Sequence, residues 1–230
     1  MGTKKYSRRQ LPPCPDPESY IVVKTDEGYY WRKKRGTVKK AKLNTILRRN
    51  ATTAKLTGPA ASRLLGTLEP HTRGIKKGKI SLKIAGLLMK TYHTKGLLDF
   101  SMLQGLELNA AYPLAKLLYT DYKVLQDKRT IRLRLRSGYV QAQNNLVTDY
   151  YFDAVLLGGD PAFADSLKTV TDSSILYSFA DKNIQDVELA VPLPPAGIPW
   201  ILLLKVSCLE GNELAMHPKN YAMKVVKTGE

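Results

Sequence analysis

The chain has little of what metal sites and disulfide frameworks require. Its 230 residues include two cysteines and three histidines. The cysteines, Cys14 and Cys208, lie far apart in the sequence, so a disulfide framework is not expected. The histidines at positions 71, 93 and 217 stand at no metal-ligand spacing from a cysteine or from one another, whereas a structural zinc site needs four such ligands. We therefore expect no metal site and no cofactor.

The sequence also lacks a long uninterrupted apolar run. The longest apolar stretch, residues 191–208, contains four prolines and Lys205, which exclude a membrane-spanning helix. No secretory signal peptide is visible, because the first residues carry charge without an apolar segment. With 43% hydrophobic and 24% charged residues, the composition is typical of one large globular domain or two small ones. We expect the protein to reside in the cytoplasm or within a particle.

Acidic residues are scarce in the first part of the chain. Residues 1–98 contain 23 Lys+Arg and 5 Asp+Glu, whereas residues 99–230 contain 13 and 15. The formal net charge of +16 is therefore made of +18 in the first part and −2 in the second. An excess of this size repels itself unless a counter-charge is near, so the pattern indicates contact with a polyanion or with an oppositely charged partner surface.

Composition and periodicity divide the chain into three regions. Residues 1–18 combine four prolines with four basic residues and predict a flexible basic arm. Residues 19–98 begin with two β-prone runs, 20–24 and 29–33, that flank a glycine-bearing turn and predict a β-hairpin. Helical spacing follows in the rest of this region, which is predicted to form a basic helical block. Residues 99–230 are predicted to form a mainly antiparallel β domain.

Three helices are predicted in the basic block. The first begins near Lys39 and ends at Gly58-Pro59, because proline is poorly accommodated inside a helix, and the second runs from Pro59 to Leu68. The third follows the basic turn of residues 71–78. Apolar residues at helical spacing are expected to face inward in the first and third helices: Leu43, Ile46, Leu47 and Ala51, and Ile80, Ile84, Leu87, Leu88 and Thr91.

Short β-prone runs separated by turn clusters fill the C-terminal region. They lie at residues 106–109, 122–125, 130–136, 147–157, 174–179, 186–191, 199–208 and 221–226. Because the helices precede the strands, we expect an α+β fold whose β region is an antiparallel sandwich or barrel. The run 130–136 alternates strictly and places three arginines on one strand face, where they either pair with acidic residues such as Asp149 and Asp153 or bind an anion. Of these two, pairing is the expectation.

Several short motifs resemble those of a group of uncharacterised Bacteroidetes proteins over roughly residues 20–115. The similar segments are Gly28-Tyr29-Tyr30 with Arg32, the polar helix with Asn44, Arg48, Arg49 and Asn50, the small-residue helix at 60–65, and Leu103-Gln104-Gly105-Leu106-Glu107-Leu108-Asn109. The resemblance implies a hairpin, a helical block and a β region in that order. It provides no catalytic residue and no assigned activity.

Two basic segments are candidate polyanion-binding surfaces. The end of the hairpin interleaves aromatic with basic residues, as binding of single-stranded nucleic acid requires, although the rings could instead pack inward. The turn before the third helix, with the lysines along that helix, could hold an anion or could simply be a solvated helix edge. The residues expected to contact the polyanion are Tyr29, Trp31, Arg32, Lys33, Lys34, Arg35, Lys39, Lys40, Arg48, Arg49, Arg73, Lys76, Lys77, Lys79 and Lys83.

Motifs for catalysis are missing. The sequence has no nucleophile elbow, P-loop, dinucleotide fingerprint or metalloprotease helix, so we do not expect an enzyme. The expected function is that of a non-enzymatic architectural protein whose basic half contacts a polyanion, foremost nucleic acid. The alternative is a self-assembling subunit of a filament, shell or particle whose basic arm docks on a neighbouring copy. An enzyme acting on a small molecule is the residual hypothesis.

Overall fold

A computed structural model of the chain describes residues 6–7, 10–14, 16–34, 44–75 and 78–230. The chain divides into two units, residues 1–48 and residues 49–230. Over the described residues the fold is α+β, with antiparallel sheets of two, six and three strands beside two long helices. The α+β class expected from the sequence is confirmed. The boundary between the units falls at residue 48, and the helices predicted as part of the basic block belong almost wholly to the second unit.

Unit 1 contains the predicted β-hairpin. Strands β1 (Tyr20–Thr25) and β2 (Gly28–Lys33) pair antiparallel around a two-residue turn, with Val22 opposite Trp31. Residues before the hairpin are bonded to it, since the backbones of Tyr6 and Tyr29 exchange two hydrogen bonds of 2.9 and 2.7 Å. No described residue of unit 1 is buried. The hairpin therefore has a defined register but no apolar core within the described part of its unit.

Unit 2 is built on a six-stranded sheet and a three-stranded sheet. The large sheet has the order β10-β9-β5-β6, with β11 beside β9 and β7 beside β5, and the small sheet has the order β3-β4-β8. The strands are β3 (Lys123–Gln126), β4 (Thr130–Arg136), β5 (Asp149–Gly158), β6 (Lys168–Ser173), β7 (Tyr177–Ser178), β8 (Asp186–Pro192), β9 (Trp200–Glu210), β10 (Glu213–Leu214) and β11 (Tyr221–Gly229). All pairings between them are antiparallel, and neither sheet closes into a barrel among the described strands.

The large sheet is covered on both faces. One face shares an apolar core with the small sheet, in which Phe152 and Leu204 meet Leu133 and Leu189. The opposite face packs against helices α1 (Thr45–Thr67) and α2 (Ile80–Lys95). The core between them includes Leu64, Ile84, Leu88, Val155, Leu203 and Met223. Because β5 and β9 lie between these layers, both faces of each strand are apolar, which explains their nearly continuous hydrophobic sequence.

The predicted boundary between the first two helices is wrong, because both belong to the single helix α1. It runs without a break through Pro59, where the sequence predicts that one helix ends and another begins. A proline inside a helix costs about 3 kcal/mol, but here Ala60, Ala61 and Leu64 are completely buried just after it and hold the second half in place. Gly58, which has no Cβ, also reduces the clash between the proline ring and the preceding residue.

The buried face of α1 also differs from the prediction. Ile46 and Leu47 are 69% and 50% exposed, Ala51 is exposed, and Leu43 lies outside the described residues. Helix α2, by contrast, is confirmed together with its inward face, and it ends at Gly96, whose φ of 75° is the left-handed conformation that closes many helices. A short helix, α3 (Leu114–Leu117), precedes β3.

Most predicted strands are confirmed, and two are wrong. Residues 106–109 form only an isolated bridge, at Glu107 opposite Lys224, although Leu106 and Leu108 do hydrogen-bond to the backbone of β11. Residues 174–179 contain only the two-residue β7, while the longer strand β6 precedes them. The sequence of β6, Lys-Thr-Val-Thr-Asp-Ser, does not show a strand pattern. The reason is that β6 lies at the edge of the large sheet, where none of its residues is fully buried.

Candidate nucleic-acid interface

One face of the hairpin combines aromatic rings with lysines. Directly paired residues of an antiparallel ladder project to the same side, so the register places three side chains of each strand together. We call this surface the aromatic–lysine face, and its members are Tyr20, Val22, Lys24, Tyr29, Trp31 and Lys33. The alternation of rings and cations expected from the sequence is therefore present on a single side of the hairpin.

The aromatic residues of this face remain accessible. Tyr20, Tyr29 and Trp31 are half-buried, and the two lysines are exposed. The indole Nε1 of Trp31 donates a 2.7 Å hydrogen bond to the carbonyl oxygen of Pro12. That bond uses the edge of the indole, whereas stacking on a base uses its flat face.

The opposite face of the hairpin is not buried either. It carries Ile21, which is 37% exposed, with half-buried Val23 and Tyr30 and exposed Arg32. An isolated two-stranded hairpin is marginally stable in water, because burial of apolar surface supplies most of the stability of a sheet. The described residues of unit 1 include half-buried but no fully buried apolar side chains, so the hairpin has little of this stabilisation.

The basic residues at the end of β2 differ in their surroundings. Arg32 and Lys33 are exposed, while Lys34 is half-buried and its Nζ donates to the carbonyl oxygen of Pro17 at 3.2 Å. Arg48 is exposed near the start of α1. Three other predicted residues, Arg35, Lys39 and Lys40, lie outside the described residues.

The remaining predicted residues belong to unit 2. Arg49 is exposed on α1, Arg73 is exposed in the turn before α2, and Lys79 and Lys83 are exposed at the start of α2. Lys76 and Lys77 lie outside the described residues. Lys79 and Lys83 are exposed along the edge of the helix, as predicted, beside buried Ile80 and Ile84.

The basic residues at the start of α2 have an acidic neighbour, Glu107. Burial raises the pKa of Glu107, while the charges of Lys224 and Lys83 act in the opposite direction and favour the ionised carboxylate. Lys224 Nζ lies 3.9 Å from a carboxylate oxygen of Glu107. Lys83 therefore stands in the field of a carboxylate of its own unit.

The arginines of β4 form ion pairs, as the sequence indicates, but with other partners than those expected. Arg134 Nε lies 2.6 Å from a carboxylate oxygen of Glu188, directly opposite on β8. The other close pairs are Arg132 with Glu188 at 3.6 Å and with Asp127 at 3.8 Å, and Arg136 with Asp186 at 3.4 Å. Asp149 and Asp153 were the wrong partners, because they lie on β5 in the large sheet.

Asp153 instead belongs to a buried ion pair that the sequence analysis did not identify. Its carboxylate lies 3.4 Å from Lys205 Nζ, and the side chains are 8% and 6% exposed. The two residues are directly paired on β5 and β9, and the hydroxyl of Ser173 donates to Asp153 at 2.6 Å. The available signal was Lys205 itself, a lone cation within an apolar strand.

The charges of Lys205 and Asp153 act on the nearby side chain of His71. Burial lowers the pKa of His71, the charge of Lys205 lowers it further, and Asp153 opposes the shift. The imidazole Nε2 is 3.2 Å from the hydroxyl oxygen of Thr169. The neutral form of His71 is therefore favoured beside the buried ion pair.

A groove in unit 2 is the second feature that the sequence analysis missed. It has a volume of about 1020 Å³ and runs between the end of α2, the turn that follows β5, and the proline-rich segment 192–199. The signal in the sequence was the cluster of prolines in that segment, which was interpreted only as a turn.

Within the described residues, no group of three or more His, Cys, Asp or Glu side chains is placed to hold a metal ion. In the same part of the chain, no helix combines the length and apolarity that crossing a membrane requires.

The chain matches no protein-family model, and no curated protein matches it in sequence.

Proposed function

We propose that the protein is a non-enzymatic architectural protein whose unit 1 binds single-stranded nucleic acid through the aromatic–lysine face. The observation that carries the proposal is the placement of three rings and two lysines on one face of a hairpin without a buried core. Every nucleobase offers a flat face for stacking, and phosphates lie at regular intervals along the strand. A surface that alternates rings and cations matches both features without requiring a particular base sequence.

The magnitudes favour such a contact. Stacking of a base on an aromatic side chain contributes about 1–3 kcal/mol, so two or three accessible rings supply useful affinity even at physiological salt. The flanking charge adds to it, since residues 1–48 contain 13 Lys+Arg and only 4 Asp+Glu. Counterions released from the phosphates by these residues make the affinity dependent on salt.

The test is the binding of a fluorescently labelled oligothymidylate, followed by anisotropy at several salt concentrations. The test variant carries Lys24→Ala and Lys33→Ala, the two lysines of the aromatic–lysine face. Each lost phosphate contact removes about 0.7 from the slope of log K against log salt for a single strand, so the slope is expected to fall by about 1.4. The matched control carries Lys116→Ala and Lys123→Ala, two exposed lysines of unit 2, and is expected to keep nearly the wild-type slope.

The fluorescence of Trp31 provides a separate measurement of base stacking. The only other tryptophan, Trp200, is 1% exposed in the core of unit 2, so quenching of indole fluorescence by the oligonucleotide reports on Trp31. Trp31→Phe should retain most of the affinity, while Trp31→Ala should weaken it by roughly 5- to 100-fold. Binding without salt dependence, or equal losses in the two lysine-to-alanine sets, would contradict the proposal.

A second copy of the chain is the alternative partner for the hairpin. The observation that favours it is the exposure of apolar side chains in β1, with Ile21 at 37% and Val22 at 45%. Light scattering of nucleic-acid-free protein distinguishes the two proposals. Self-assembly predicts a concentration-dependent mass that falls when residues 1–18 are deleted, whereas nucleic-acid binding predicts a monomer that associates only with the oligonucleotide.

A further inference from the structure

The groove of unit 2 has two rigid walls that are bonded to each other. One wall is the proline-rich segment, in which Pro192, Pro194, Pro195 and Pro199 restrict the backbone. The N–H of Gly159, in the turn after β5, donates to the carbonyl oxygen of Pro199 at 2.9 Å and links the two walls. A groove held in this way exists before a ligand arrives, so little conformational entropy is lost when one binds.

Gly159 is required for the shape of this turn. Its φ is +131°, and a Cβ at this position would stand 2.2 Å from the carbonyl oxygen of Ser166. The hydroxyl of Ser166 in turn lies within hydrogen-bonding distance of two carbonyl oxygens, that of Asp160 at 2.7 Å and that of Phe163 at 2.9 Å. These bonds fix the loop that carries the acidic side of the groove.

Apolar side chains line the interior and remain open to solvent. Leu56 of α1 is 44% exposed, Leu97 after α2 is 52% exposed, and Val170 of β6 is 42% exposed. Exposed apolar side chains that converge on one concave surface mark a binding site more often than scattered ones do. The volume of about 1020 Å³ is at the upper end of the roughly 300–1,000 Å³ that is typical of small-ligand pockets.

The charge around the groove is opposite to that of the whole protein. Carboxylates of Asp160, Asp165 and Glu230 line it together with one cation, Lys168. Asp99, a further lining residue, is already paired with Lys95. Asp160 uses one oxygen to accept the N–H of Ala162 at 2.7 Å. In a chain of net charge +16, this groove therefore has the charge that attracts a cation.

We propose that the groove binds a lipophilic organic cation, a small molecule with an aliphatic or alicyclic body and an amine or quaternary ammonium group. The apolar side chains contact the body, and the carboxylates stabilise the cationic group. Tyr92 of α2 also lines the groove and supplies an aromatic ring, which is the side chain that quaternary ammonium ligands prefer. This site lies wholly within unit 2 and does not depend on nucleic-acid binding by unit 1.

The probe for the test is decyltrimethylammonium, titrated below its micellar concentration by calorimetry in 150 mM salt. We expect one saturable site. Decyl maltoside, which has the same chain and a neutral head, should bind roughly tenfold more weakly, and tetramethylammonium, which lacks the chain, should show no measurable binding. Because the overall charge of the protein repels cations, a preference for the cationic probe has to come from the groove.

Two substitutions place a cation in the groove. Leu56→Lys and Val170→Lys change half-exposed side chains, so each should fold, and each is expected to weaken decyltrimethylammonium binding at least tenfold. The matched control is Leu82→Lys on α2, which is 72% exposed, does not line the groove and should bind as the wild type does. Thermal unfolding of each variant verifies that it is folded.

A charge-only substitution separates electrostatic from apolar binding. Asp165→Asn should reduce the preference for the cationic over the neutral probe severalfold, whereas Asp121→Asn, an exposed acid away from the groove, should leave it unchanged. Equal affinity for the two probes, uptake without saturation, or wild-type binding by both folded lysine variants would overturn the proposal.

Discussion

Replacing Lys205 by Met leaves the carboxylate of Asp153 buried without its cation. Both side chains are more than nine-tenths buried, and the loss of one partner from such a pair destabilises a protein by about 3–5 kcal/mol. The hydroxyl of Ser173 continues to donate to the carboxylate at 2.6 Å, which places the expected cost of Lys205→Met near the lower limit, about 3 kcal/mol. Asp153→Asn leaves the ammonium group unpaired and should cost a similar amount.

The double variant is the decisive measurement. With both charges removed, no uncompensated ion remains, and Asn at position 153 still offers an oxygen to Ser173. We therefore expect the double variant to lose less than either single variant, which gives a coupling energy of about 3 kcal/mol or more. Two losses that simply add, or single losses below about 1 kcal/mol, would refute the view that burial makes this pair interdependent.

The assay is urea unfolding in a Trp31→Phe background, so that fluorescence reports only on Trp200 in the core of unit 2. An exposed pair of similar sequence separation is the control. Arg134 and Glu188 approach to 2.6 Å, but their side chains are 53% and 40% exposed. Solvent screens such a pair, and Arg134→Met with Glu188→Gln should change the free energy of unfolding by less than about 1 kcal/mol.

Two further predictions concern single side chains. Burial raises the pKa of Cys208 to about 12, so in native protein at pH 8 only Cys14 should react with Ellman's reagent, and both thiols should react in urea; two rapidly reacting thiols in the native state would contradict the structure. Burial lowers the pKa of His71 below its ordinary value of 6.5, so its contribution to stability is complete above that pH and declines as the pH falls below it. The loss of stability between pH 7.5 and 5.5 should therefore be smaller in His71→Gln than in the wild type, and equal losses would disprove this assignment.

The elements that the sequence predicts correctly are those in which one local pattern decides the structure. The hairpin has two β-prone runs around a short turn, and β4 alternates because one face is buried and the other solvated. Helix α2 has an apolar face at helical spacing and a glycine after its last turn. In each case the pattern within about twenty residues contains the information, so no distant contact is needed.

The errors arise where distant contacts override the local pattern. Pro59 signals a helix end by its own chemistry, yet burial of the following alanines and Leu64 against the large sheet of unit 2 maintains the helix. Ile46 and Leu47 have helical spacing but find no layer to cover them. The strand pairing of the β4 arginines depends on sheet order, which the sequence of one strand does not specify.

The candidate sites differ in the same way. The aromatic–lysine face could be anticipated because its residues are neighbours within one hairpin. The Lys205–Asp153 pair joins residues 52 positions apart, and the groove joins the helices to β6 and the segment 192–199. The assembly of both depends on the pairing of β5 with β9 and on the packing of the helices against the large sheet. A lone lysine in an apolar strand and a cluster of prolines indicate that a buried ion pair or a groove is present. Neither signal identifies the residues on the other side of the pair or groove.

The structure also changes where the excess charge of the chain is located. Unit 1 contains 13 Lys+Arg and 4 Asp+Glu in 48 residues, whereas unit 2 contains 23 and 16 in 182. In unit 2, basic residues such as Lys205, Arg134 and Lys95 are neutralised by carboxylates of the same unit. The greater density of uncompensated charge therefore belongs to the unit whose described residues form no core. The polyanion contact proposed for unit 1 would relieve its self-repulsion and cover the half-buried rings of the aromatic–lysine face at the same time.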